Sequence, residues 1–276
     1  MVIPIEIAIG GDALAAVESA SLACGRLWAT VDSSRPAASH VLLARHSTRD
    51  FDVQADRLAA VLLGEVAVDP ADAGPTAAAS AAAEVGKGST GRGPRSSAVL
   101  NAAMAAGAIC AAAPASRDAQ RAAALESANL LAQGGALAAP WVAPWELDAA
   151  ARAAAVQVDR SGEWTEWVRS WCLLLAREAG AAERSLRRAT ERMARESADV
   201  AAQHRVGVTA AAVVAHLHEH RTFTIRHAAT ALGLTRPTVG TAIERLEESG
   251  LATELTGQLR DRVWISSAWL ELITTR

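Results

Sequence analysis

The sequence predicts a mainly α-helical protein built in two parts, and three observations carry that expectation. About a quarter of the chain is alanine, the strongest helix former and several-fold above its ordinary usage. Residues that strands favour are scarce: Tyr is absent, Phe occurs 2 times and β-branched runs are few. The composition then shifts near His204, beyond which β-branched residues, turn glycines and five of the seven histidines appear. An all-β fold is excluded. With 276 residues, 51% of them hydrophobic, the chain can bury one large core or two small ones and is not a disordered polypeptide. Among its 27 Lys+Arg only Lys87 is lysine, a skew that reads as the imprint of GC-rich bacterial coding sequence.

Taken in order, Asp12–Leu27 and Val53–Leu63 read as helices on either side of Pro36. Residues 69–97 are rich in Pro, Gly, Ala and Ser and read as a flexible loop. Val99–Ala113 and Ala119–Gln133 are Ala/Leu helices, the second closed by Gly134-Gly135 as a C-cap. Pro140 and Pro144 bracket a turn before a helix over Leu147–Val158, which Asp159-Arg160-Ser161-Gly162 breaks. A long connecting helix then runs over 163–203. Its early apolar face is Trp164, Trp167, Val168, Trp171, Cys172 and Leu175, at spacings of three and four, and its later half alternates Glu and Arg as a solvated, ion-paired helix does. The spacing places a first domain at 1–203 and a second at 204–276.

The second domain carries the clearest signal. Thr209–Glu219 reads as a helix with Ala212, Val213 and Leu217 inward, Ile225–Leu232 as a second, Gly233 as the turn, and Pro237–Ser249 as a third capped by Thr235. Gly250 ends it, and Leu251–Leu255 and Arg262–Ile265 read as two strands around 256–261. Helix, helix, turn, helix and a two-stranded wing is the order of a winged helix-turn-helix. In that motif the start of the last helix faces base edges and phosphates, which selects Thr235, Arg236, Thr238, Val239 and Thr241, then Arg245 one turn on. Gln258, Arg260 and Arg262 sit at the wing. The expected partner is DNA, although the net charge of −3 and pI near 6.2 provide no global basic field. From His204 onward eight Arg face seven Asp or Glu, three of them (Glu244, Glu247 and Glu248) towards the far end of the recognition helix, so a single copy should bind weakly and a homodimer is expected.

From Leu130 to its end the chain resembles the C-terminal half of Fic-family proteins. The residues that carry this are Leu130-Leu131-Ala132-Gln133-Gly134-Gly135-Ala136-Leu137, then Ser161-Gly162-Glu163-Trp164-Thr165-Glu166-Trp167-Val168 before the long helix, and Ser249-Gly250-Leu251 with Thr256-Gly257-x-x-Arg260-x-Arg262-Val263-Trp264 at the end. The resemblance implies a helical bundle that transfers a nucleotide, usually AMP from ATP, to a protein hydroxyl. The family signature, His-Pro-Phe-x-x-Gly-Asn-Gly-Arg, would fall on Ala113–Arg121. Only Pro114 and Arg121 agree; Ala113 stands where the general base belongs, and no histidine occurs between His46 and His204. Loss of the base alone costs roughly 10²–10⁴ in rate, and without the glycine loop the triphosphate loses its anion nest. An inhibitory Ser-x-x-x-Glu-Gly stretch would fall on Leu42–Asp52, with Phe51 and Asp52 in place of Glu and Gly. The expectation is therefore a pseudo-enzyme without a cofactor, serving dimerisation or binding a small-molecule or protein effector. The alternatives are a nucleotidyltransferase with a rebuilt site and a pure interaction module.

The remaining constellations point to packing. Gly86-Lys87-Gly88-Ser89-Thr90-Gly91 lacks the spacing of a phosphate loop. Cys24, Cys110 and Cys172 are odd in number and set in apolar surroundings, as buried thiols in a reducing cytoplasm are. The five tryptophans from Trp141 to Trp171 read as core, and His216, His218 and His220 as solvated or capping residues, not a metal site. Met1–Gly10 lacks the pattern of a signal peptide, and Val99–Ala115 is too short and mild to cross a membrane.

Overall fold

The structure, a computed structural model, describes residues 9–32, 95–136, 147–202, 208–220, 222–257 and 262–274. The expected helix over Val53–Leu63, the loop over 69–97 up to Pro94, the segment Leu42–Asp52, Trp141, Trp145 and His204 lie outside them. The described residues are mostly helical, as the alanine content predicts. No helix among them is long and apolar enough to cross a membrane.

Among the described residues the chain forms two compact units, 9–29 with 95–183 and 30–32 with 184–274. In the first, α1 (Gly11–Asp32) as far as Ala29, α2 (Arg95–Ala112), α3 (Arg117–Gln133), α4 (Ala149–Ser161) and α5 (Thr165–Ala202) as far as Glu183 supply the core. Each boundary has a local cause. Ser116 caps α3 by accepting from Ala119 N–H at 3.3 Å, and Asp148 caps α4 by accepting from Ala151 N–H at 2.9 Å. Gly134-Gly135 closes α3 and Gly162, at φ 70°, closes α4. α2 packs on α3 and α4 through alanines, whose short side chains let the backbones come close. A methyl group on Gly134 would collide with Ala98, and one on Gly107 would lie 2.5 Å from Trp167 Nε1 and 2.6 Å from Trp164 Cζ3. Trp167 is fully buried and donates its Nε1–H to Ala103 O at 2.7 Å, satisfying the polar atom of a large apolar side chain. Cys24, Cys110 and Cys172 are buried free thiols, each pushed up to about 12 by burial.

The second unit contains the rest of α5, then α6 (Val208–Glu219), β1 (Phe223–Thr224), α7 (Ile225–Leu232), α8 (Arg236–Glu248), β2 (Ala252–Glu254), β3 (Val263–Ser266) and α9 (Ser267–Thr274). Two of these were not expected. β1 arises where the sequence reading left a linker, and α9 follows the last strand without a break. Both have a tertiary cause: Phe223 pairs with Trp264 and Thr224 with Val263, so the two-residue strand exists only because β3 is beside it. The sheet is antiparallel in the order β1-β3-β2. Val213, Leu217, Phe223, Val239, Ile243, Leu246 and Trp264 form its buried core.

Two histidine expectations are corrected here. His216 and His218 are buried, not solvated. His218 is held between Ser197 Oγ (3.1 Å from Nδ1) and Glu196 Oε2 (3.1 Å from Nε2), and its backbone carbonyl accepts from Trp269 Nε1 at 3.2 Å. The reason is periodicity: α6 is covered on more than one side, by α7 and α8 and by β3, so residues at spacing two both face neighbours.

Candidate nucleic-acid interface

The candidate surface is built on α7, the turn after it, and α8. Thr224 caps α7 by accepting from His227 N–H at 3.2 Å. Gly233, at φ 65°, takes the left-handed conformation that a side chain would resist, and Leu234 N–H returns to Ala229 O at 2.9 Å. That bond reverses the chain, so Thr235 meets the next helix as its N-cap. Its Oγ1 accepts from Thr238 N–H at 3.3 Å and lies 2.7 Å from Thr238 Oγ1. Pro237 follows within the first turn, where its missing N–H removes nothing.

Burial then separates α8 into two faces. Val239, expected among the groove-facing residues, is instead buried with Ala242, Ile243 and Leu246 on the apolar side of the helix, while Thr235, Arg236, Thr238, Thr241 and Arg245 are all exposed. The apolar underside seats the helix and leaves its polar N-terminal turns facing outwards. The same exposure extends to Glu244, Glu247 and Glu248. Across Arg236–Glu248 two Arg meet three Glu, a net charge of −1 concentrated at the C-terminal end.

The remaining candidate residues fall in the turn between β2 and β3. Gln258 and Arg260 lie outside the described residues. Arg262 is described and exposed, with its guanidinium 5.2 Å from the Trp264 ring centroid and 3.9 Å from Glu254 Oε2. It is thus a partly engaged cation. Glu254 is the residue that sequence reasoning missed. Its Oε1 accepts from Thr256 N–H at 2.8 Å, Thr256 Oγ1 at 2.5 Å and Gly257 N–H at 2.9 Å, which fixes the start of the turn. Burial alone would raise its carboxyl, but these bonds and Arg262 outweigh that and hold it below the usual carboxylate range. The signal was a carboxylate two residues before Thr-Gly, a spacing that reaches the turn amides.

No family model matches the chain, and no curated protein does.

Of the residues that the Fic resemblance singles out in the first unit, Ala113 and Pro114 carry no polar side-chain atom. Ala113 and Pro114 sit half-buried in the turn between α2 and α3, with Pro114 O accepting from Gln120 Nε2 at 3.2 Å. Arg121 lies on α3. Among the described residues no group of three His, Cys, Asp or Glu is arranged to hold a metal.

Proposed function

We propose that this chain is a DNA-binding transcriptional regulator, in which α6 to α9 with their sheet form a winged helix-turn-helix. On this reading the first unit is a Fic-like helical scaffold without nucleotidyltransferase chemistry. The observation that carries the DNA reading is α8 itself: a buried apolar underside with hydroxyls and arginines exposed on its first turns. A helix entering the major groove offers that part to phosphates and base edges. Thr235, Thr238 and Thr241 suit phosphate oxygens, while Arg236 and Arg245 suit phosphate or guanine. What supports the loss of chemistry is Ala113, a methyl group where a base is needed, in a turn closed by its own helix cap. The acidic end of α8 favours a homodimer, since two half-sites compensate for weak single-module affinity.

A mobility-shift titration of the full chain on the DNA upstream of its own gene, over a salt series, tests this. The expected result is a shift that weakens with salt and is abolished by Arg236→Ala. No salt-dependent shift would reject the DNA reading in favour of a protein-interaction module. Calorimetry with ATP and Mg²⁺ tests the first unit, where a micromolar isotherm would restore the nucleotidyltransferase.

A further inference from the structure

A second constellation lies where α6 meets α7. His216 of α6 packs against His220 one turn on, with ring centroids 4.0 Å apart, and against His227 of α7 at 5.5 Å. His220 and His227 are themselves 5.5 Å apart. Phe223 of β1 meets the His216 ring edge-on at 5.1 Å. His216 is 4% exposed, and its Nε2 has no hydrogen-bond partner. A neutral imidazole can occupy such a place at modest cost. An imidazolium there would be a buried charge with no anion bonded to it and two further imidazoles within repelling distance.

We propose that His216, His220 and His227 form an acid-release latch, which holds α6 against the start of α7 while the rings are neutral and loosens it when they take up protons. Among the described residues no carboxylate is paired with His216. β1 contributes apolar Phe223, and α8 and β3 present Val239, Ile243 and Trp264 to the shared core. Glu219 favours protonation of His220, and Glu196 of α5 is spent on His218. Burial first, then His220 and His227, push His216 down to about 4, and burial and His227 also lower His220. A folded-state value below the unfolded one means stability complete above about pH 6.5 and lost as pH falls from there towards the folded value. The latch adjoins Thr224, the cap of α7, so its release reaches the helix pair ahead of α8. It does not depend on what α8 binds.

The test is urea unfolding of the full chain, followed by tryptophan fluorescence, in steps from about pH 7.5 to 4.5, above the window in which carboxylates dominate. The expected result is a midpoint that falls progressively below about pH 6.5 and a His216→Phe variant whose midpoint falls less steeply over that range, because only His220 is still lowered. A level wild-type midpoint would overturn the proposal. Should His216→Phe not fold, imidazole proton NMR on the wild type decides: His216 titrating well below the other histidines supports the latch, and titration near 6.5 refutes it. His220→Gln with His227→Gln removes the repelling rings and should move the His216 titration upwards. A one-to-one Zn²⁺ isotherm at neutral pH that this double variant abolishes would also overturn the latch, making the cluster a cation site.

Discussion

Gly107 and Gly240 show how one residue type carries opposite consequences at two places. A methyl group at Gly107 meets Trp167 and Trp164, rigid rings within 2.8 Å and buried or half-buried at a helix crossing. Gly107→Ala should therefore destabilise the first unit by about 1–3 kcal/mol, the range for overpacking, and lower its thermal midpoint. At Gly240 the same methyl would find only Ile225 Cδ1 at 3.9 Å, an ordinary contact. Gly240→Ala should raise stability by up to about 1 kcal/mol, the helix-propensity difference, read as a higher urea midpoint. Glu254 is the third instructive residue. Its carboxylate, held below the ordinary range, contributes stability present above about pH 4.5 and lost as pH falls through its lowered value. Glu254→Gln should flatten that acid limb, and the exchange of Thr256 and Gly257 amide protons should quicken because the anion that fixes them is gone.

At the scale of the element, α8 is a helix whose two ends oppose each other. Its N-cap and first two turns offer Arg236 and three hydroxyls, and its last turn sets Glu247 and Glu248 beside Arg245. If the helix enters DNA, replacing both with Gln should tighten binding at low salt and leave the Arg236 dependence intact, measured by mobility shift. The cap is the element's other weak point. Thr235→Ala leaves Thr238 N–H without its acceptor and should cost about 0.5–2 kcal/mol. Helices α6, α7 and α8 were legible in the sequence because their signals are local. Thr224, Gly233, Thr235 and Gly250 mark starts and stops by their own conformational chemistry, and Ile225–Leu232 is found where it was read. Strand β1 was not legible, because two residues of strand are specified by their partner, not by themselves.

At the scale of the molecule, the three thiols and the histidine latch fall in different units. Cys24, Cys110 and Cys172 are in the first, and His216, His220 and His227 in the second. Acidification to about pH 5 should loosen the second unit while the thiols remain unreactive towards an acid-compatible disulfide reagent. Urea that opens the first unit should expose all three together. Simultaneous release of thiols and loss of second-unit structure on mild acidification would contradict this separation.

The sequence by itself determined the helical class, the order of α6, α7, α8, β2 and β3 and the polar start of α8. Alanine propensity, caps and turn glycines act within a few residues, so no distant partner was needed to read them. Only the tertiary structure decided which side chains meet. It buried His216 and His218, brought His227 to His220 from another helix, set Glu254 on the Thr256 and Gly257 amides and engaged Arg262 with Trp264. Such contacts join faces of separate elements, and the face a residue presents is fixed by packing around the whole helix, not by the spacing along it.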